Sequence, residues 1–232
     1  MSVSASGDEL AALLPPPDGV RRVIGISGAP GAGKSTLAEF LAQLLGGRGA
    51  HVPMDGFHLA DVELARQGLL DRKGAPETFD VLGYAALLER LRSRPETTVY
   101  APGFDRDLEQ PLAGAIAVPP SAQVVVTEGN YLLLDEQPWR AVRTAVDEVW
   151  HVRCEERTRR ERLLARHTDF GKSRAAAREW VDRVDEPNAL LVEASAHRAD
   201  RLLDLSGWQG NRHHPVVLPD PDPAPQPFEG RG

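Results

Sequence analysis

Short apolar runs alternate with amphipathic stretches along most of this 232-residue chain. Arg22-Val23-Ile24-Gly25-Ile26-Ser27 is a compact apolar run that predicts a buried strand. Comparable runs at 50–54, 97–100, 123–127, 147–152 and 201–205 predict five more. Between them the period changes. Leu37, Phe40, Leu41, Leu44 and Leu45 recur at helical spacing and Gly46-Gly47 ends that pattern. Further helical stretches are predicted near 59–67, 81–93, 155–167, 173–183 and 186–197. Apolar strands alternating with helices imply an α/β fold: a parallel sheet covered on both faces, a three-layer sandwich. Ligands of such sheets bind beyond the C-terminal ends of the strands, so the residues that follow each strand carry the functional information.

The first strand runs into Gly28-Ala29-Pro30-Gly31-Ala32-Gly33-Lys34-Ser35, a complete P-loop, followed by Thr36 at the start of the helix. Its glycines let successive backbone N–H groups turn inward on phosphates at a helix N-terminus, and Ser35 offers a hydroxyl for Mg²⁺. Lys34 is one of only three lysines, with Lys73 and Lys172; all other basic side chains are arginine or histidine. A compact ammonium on a flexible stem follows phosphates as a point charge, which the planar guanidinium does less well. ATP and Mg²⁺ are therefore the expected cofactors, with residues 28–36 as their cradle.

Three other strand ends carry chemistry. The second strand leads into Met54-Asp55-Gly56-Phe57-His58, where Asp55 can accept the proton of an attacking hydroxyl. A turn Asp before glycine is the alternative. The fourth candidate strand ends Thr127-Glu128-Gly129-Asn130. Glu128 there suits the metal shell or a substrate contact, or a helix cap. The loops Arg72–Asp80 and Ala101–Arg106 mix both charge signs with aromatics and read as walls of a polar substrate pocket, with Lys73, Asp80 and Arg106 among their charges. After the fifth strand, Arg159, Arg162 and Arg166 share one helical face, a lid that would stabilise charge on the transferring phosphoryl. The alternative is an exposed basic face paired with Glu155, Glu156 and Glu161. His58 and His167 lie inside these segments, whereas His51, His151 and His197 read as structural.

Composition narrows the classes. The length suits one α/β domain. A net charge of −7 argues against nucleic acid as the main partner. The single cysteine, Cys154, excludes an internal disulfide and a Cys-based zinc site, which fits a reducing cytoplasm. No apolar run reaches membrane-spanning length, and no basic-then-apolar leader opens the sequence. A short helix is expected over residues 8–14, within a peripheral N-terminal extension (1–19). Residues 211–232, rich in proline and acid, are expected to be a disordered tail.

Taken together, the P-loop, the 54–58 segment, the 73–80 loop, the 126–131 strand end and the 162–167 lid resemble the uridine kinase, pantothenate kinase and phosphoribulokinase group of P-loop kinases. The nearest resemblance is to a bacterial branch described as nucleoside/nucleotide or fructose-transport-system kinases. It spans residues 20–205 in order and implies a kinase domain over 20–210 with a lid near 155–175. It also implies ATP-dependent phosphorylation of a hydroxyl on a small metabolite (a sugar, a nucleoside or a pantothenate-like molecule). By resemblance, Lys34 and Ser35 hold phosphate and Mg²⁺, Asp55 is the base, and Arg162 and Arg166 act from the lid. Asp80, Arg106 and Tyr131 would contact the acceptor. The 101–106 loop matches neither the uridine nor the pantothenate kinase version, so acceptor identity does not follow. A regulatory ATPase and a nucleoside monophosphate kinase are the competing readings, and a homodimer is left open.

Overall fold

A computed structural model of the chain describes residues 3–4, 7–206 and 208. Its elements, in order, are β1 (Val3–Ser4), α1 (Gly7–Ala12), β2 (Arg22–Gly28), α2 (Lys34–Leu45), β3 (Gly49–Pro53), α3 (Asp61–Gln67), α4 (Val81–Arg92), β4 (Val99–Asp105), β5 (Gln110–Val118), β6 (Val124–Gly129), α5 (Trp139–Ala145), β7 (Glu148–Arg153), α6 (Glu156–Asp169), α7 (Arg174–Trp180), α8 (Glu186–Ser195) and β8 (Arg201–Asp204). One π-helical turn, Val181–Asp185, joins α7 to α8.

Six strands form a parallel sheet in the order β1-β8-β7-β2-β6-β3. Side-chain alternation splits its apolar residues between two cores. Val23, Val125 and Val149 face a core closed by α4 and α5, with Tyr84, Leu88, Trp139 and Val142 fully or almost fully buried. Ile24, Ile26, Val124, Val126, Trp150 and Val152 face the other, closed by Leu37, Leu41 and Leu45 of α2 and by Leu10 of α1. This is the three-layer α/β sandwich that the alternation of strands and helices predicts.

Three local expectations are corrected. The run at 97–100 does not join the parallel sheet; it opens β4, which pairs antiparallel with β5 as a separate hairpin. A short turn at 106–109 lets Val99–Asp105 pair antiparallel with the segment that follows it, and alanine- and glycine-rich β5 carries little strand signal of its own. Helix α5 was not expected, because its seven residues are too short for a clear period. The N-terminal segment is less peripheral than its composition suggests: β1 extends the sheet beside β8, and Leu10 is fully buried. The proline-rich segment from 211 onward lies outside the described residues.

Candidate active site

The register brings the chemistry-bearing residues to one edge. Gly28, Gly129 and Pro53 end adjacent strands, so the P-loop, Glu128 and the turn carrying Asp55 emerge side by side. Glu128 lies on the same sheet face as Val124 and Val126, under the N-terminus of α2, and Ser35 Oγ donates to its Oε1 at 3.0 Å. Asp55 sits in a 3₁₀ turn, Met54–Phe57, directly after β3. That turn presses on the hairpin: a Cβ on Gly56 would lie 2.3 Å from the Pro102 carbonyl oxygen, so only glycine fits.

The P-loop is equally tight. Gly31 has φ +80°, and a Cβ there would lie 2.8 Å from the Arg159 carbonyl oxygen on α6. Lys34 is buried and its Nζ donates to the Ala29 carbonyl at 3.1 Å. Burial lowers its pKa against the pull of Glu128 and Asp55.

These groups line one cavity of about 650 Å³. One end is walled by Pro30, Gly31, Gly33, Lys34, Ser35 and Thr36 of the P-loop, with Arg162 and Arg166 of α6. The other is walled by Asp55, His58, Lys73, Phe79, Phe104 and Arg106. The two charged loops at 72–80 and 101–106 thus meet in one cavity wall, with Lys73 over the Phe104 ring. His58 stacks on Phe79 (4.1 Å between ring centres) and Phe104 (4.9 Å), and its Nδ1 bonds the Asp55 carbonyl at 2.8 Å. Lys73 is held by Asp61 at 2.6 Å. Arg106 reaches Asp55 Oδ2 at 2.5 Å. All three lysines of the chain line this one cavity.

The two carboxylates differ. Burial would raise the pKa of Asp55, but the charges of His58, Arg106 and Lys34 outweigh it and hold the carboxylate below its usual range. Burial also pushes the pKa of His58 down, against the charge of Asp55. Glu128 is pushed up to about 7, first by burial and then by the nearby charge of Asp55. Excess negative charge beside a serine hydroxyl fits a divalent cation with hard oxygen ligands. Among the described residues no group of three or more His, Cys, Asp or Glu side chains could hold a metal. Mg²⁺ does not require one, since one or two protein ligands, phosphates and water complete its shell.

Some expected site residues stand elsewhere. Asp80 is exposed and off the cavity wall; its Oδ1 accepts from the Gly83 N–H at 2.9 Å and caps α4. A carboxylate at the N-cap is satisfied by the helix it starts, which turns it from the pocket. Tyr131 is fully buried against Phe79 and Trp139, and its hydroxyl donates to the Gly74 carbonyl at 2.5 Å, steadying the Lys73 loop from behind. Arg159 parts from the face it was expected to share: it is buried, paired with Glu186 at 2.6 Å, and donates to the Pro30 carbonyl. Gly28, Ala29 and Ala32 support the P-loop from beneath, with both alanines buried. Sequence reasoning missed Lys172, Trp180, Asp185 and Asn188, which line the cavity from beyond α6. The scarcity of lysine was the one available signal, and it pointed to Lys172. His167, which does line the cavity, pairs with Asp185 at 2.8 Å.

Comparison with known proteins agrees with this geometry. The family described as AAA domain matches residues 24–185. YggC of Escherichia coli (strain K12), a protein of uncharacterised function, is 35% identical over 199 residues, covering 84% of this chain and 81% of that protein. A provisionally named uridine kinase of Schizosaccharomyces pombe is 34% identical over 194 residues, covering 79% and 83%. The crystal structure of a provisionally named fructose transport system kinase from Silicibacter sp. TM1040 aligns with a TM-score of 0.76 at 38% identity, covering 87% of this chain and 98% of that one. The chain belongs to this P-loop family and is an ATP-dependent kinase of the group that includes the uridine kinases, phosphorylating a small metabolite.

Proposed function

We propose that the enzyme transfers the γ-phosphoryl of Mg²⁺-bound ATP to an alcohol oxygen of a small polyol-like metabolite, with Asp55 as general base. The observation that carries this reading is the position of Asp55: an ionised carboxylate in the same cavity as the P-loop lysine, at the end walled by Phe79, Phe104, Lys73 and Arg106.

The residues divide the work. Backbone N–H groups of residues 31–36 and the Lys34 ammonium would hold the β- and γ-phosphates. Ser35 and Glu128 would hold Mg²⁺, which when bound offsets phosphate charge. Asp55 takes the hydroxyl proton as the acceptor oxygen bonds to the γ-phosphorus. The bond from that phosphorus to the bridging oxygen breaks, ADP leaves with the electron pair, and the proton passes from Asp55 to solvent. Arg162 and Arg166 face the phosphate end from α6 and would stabilise charge on the transferring group. His58, Lys73 and Arg106 line the acceptor end.

One feature favours an alcohol as the attacking group over the phosphate of a nucleoside monophosphate: a phosphate oxygen is already anionic and needs no base, whereas Asp55 is placed to act as one. Turnover of ATP should be measured with and without sugars, nucleosides and pantothenate, in wild type and Asp55→Asn. ATP should still bind the variant while phosphoryl transfer falls by roughly 10²–10⁴-fold, the range for a lost general base. Wild-type transfer in Asp55→Asn removes the assignment; rapid hydrolysis that no acceptor stimulates removes the alcohol-kinase reading.

A further inference from the structure

The base proposed above is engaged. Arg106 Nη2 lies 2.5 Å from Asp55 Oδ2, and that carboxylate is its one ionic partner among the described residues. The guanidinium packs over the Phe104 ring, 4.9 Å from its centre, and Lys73 flanks the same ring at 5.7 Å. Oδ1 accepts no hydrogen bond among the described residues, but a charge-assisted bond on one oxygen lowers the proton affinity of the whole carboxylate. A base works best when its proton affinity is matched to the working pH, so this pair opposes the step assigned to Asp55.

The pair is partly open to solvent, with 42% of the Arg106 side chain and 28% of the Asp55 side chain exposed. An arriving ligand can therefore reach the guanidinium, and the group that competes best for it is another anion. ATP is already supplied with cations. Lys34 comes from the P-loop, and Arg162 and Arg166 come from α6; none of the three has a carboxylate partner among the described residues. Arg106 approaches from the β4–β5 hairpin instead. Around it stand Asp55, Asp61 (neutralised by Lys73) and the exposed rim residue Glu109, whose backbone carbonyl also accepts from Lys73.

We infer that the acceptor carries an anionic group, a carboxylate or a phosphate monoester, which takes over the Arg106 guanidinium beside Phe104 and frees Asp55 for the acceptor's hydroxyl. The inference rests on Asp55 as the base and adds the chemical class of the acceptor. Arg106 thereby couples recognition to chemistry: a neutral alcohol would leave the base paired, whereas an anionic one unpairs it on arrival.

The test uses the full chain with MgATP and matched acceptors. The sets are glycerol, glycerate and glycerol 3-phosphate; fructose, gluconate and fructose 6-phosphate; and pantothenol with pantothenate. At least one anionic acceptor should exceed its neutral counterpart in kcat/KM by roughly ten- to a hundredfold, the value of one hydrogen-bonded charge. The carboxylate and phosphate arms tell the two anions apart. Arg106→Met should bring that ratio close to one, and Arg106→Lys should restore part of it. Equal or faster turnover of the neutral members overturns the inference and leaves the alcohol-kinase reading intact. So does an equal loss on both members in Arg106→Met, which would assign Arg106 to the transferring phosphoryl. Undiminished turnover of the preferred anion by Asp55→Asn overturns the base assignment and the unpairing step, while the anion preference is still read from the ratios.

Discussion

Asp55 and Glu128 are neighbouring carboxylates with opposite proton affinities, and the difference comes from their partners. His58, Arg106 and Lys34 hold Asp55 ionised, whereas Glu128 is deeply buried with a serine hydroxyl and feels the charge of Asp55. Asp55 is kept ionised at the cost of proton affinity, and Glu128 stands beside the Ser35 hydroxyl, where a bound cation would favour its charged form. A pH profile follows with a definite sign. The base must be ionised, so kcat/KM falls as pH drops through the Asp55 pKa, which in wild type lies below the ordinary carboxylate range. His58, Arg106, Lys34 and Arg166 lower that value, while burial and the neighbouring Glu128 act against ionisation. Arg106→Met removes one lowering charge, so its acid limb should lie at higher pH than that of wild type. Superimposed profiles for the two enzymes would show that Arg106 does not govern the base.

Helix starts and turns do more here than connect. Asp80 looks like an acceptor contact in the sequence because it ends a loop whose other residues do reach the pocket. The fold uses it to begin α4, the helix that packs Tyr84 and Leu88 into the core beside Thr127 and Val125. Asp80→Ala should therefore lower stability by about 1 kcal/mol, the usual cost of a lost N-cap, with little change in acceptor KM. Denaturant unfolding and steady-state kinetics on the same sample check both halves; a rise in KM of tenfold or more would return Asp80 to the pocket. Arg159 makes the same point on α6. It belongs to the arginine face by spacing, yet its pairing with Glu186 and its contact with the Pro30 carbonyl make it a brace between α6, α8 and the P-loop. Bracing leaves Arg162 and Arg166 at the cavity surface.

At the scale of the molecule, an acidic chain gathers its scarce lysines at one opening. The cavity wall carries six lysine and arginine side chains (Lys34, Lys73, Arg106, Arg162, Arg166, Lys172) against five carboxylates, within a protein of net charge −7. Anionic ligands thus meet a wall with a small excess of positive charge on a protein that is negative as a whole, which favours their capture. Binding should also be felt by the fold as a whole, since the P-loop touches β2, α2 and α6. At MgATP about a hundred times its Kd, linkage adds roughly 2.7 kcal/mol. For a domain this size that corresponds to a Tm rise of about 5–10 °C. Scanning calorimetry should show the rise in wild type, its loss on chelating Mg²⁺, and its absence in Lys34→Ala; a full shift in Lys34→Ala would separate the P-loop lysine from nucleotide binding.

The donor half of the site was legible in the sequence because it is local. A strand, a glycine loop and a helix within 24 consecutive residues (22–45) set the phosphate cradle by backbone geometry alone, and the apolar runs set a parallel sheet whose strand ends had to carry Asp55 and Glu128. The acceptor half was decided by tertiary structure. Whether Lys73, Arg106 and Lys172 share a cavity depends on a hairpin folding away from the sheet and on a chain return through α7 and the π turn, none of which a linear period records. The same packing sent Asp80 to a helix cap and Tyr131 to the core, because a buried or capping partner in the folded chain outcompetes an open pocket. Local sequence specifies local backbone; which charges are left without a partner is settled only when distant segments have packed.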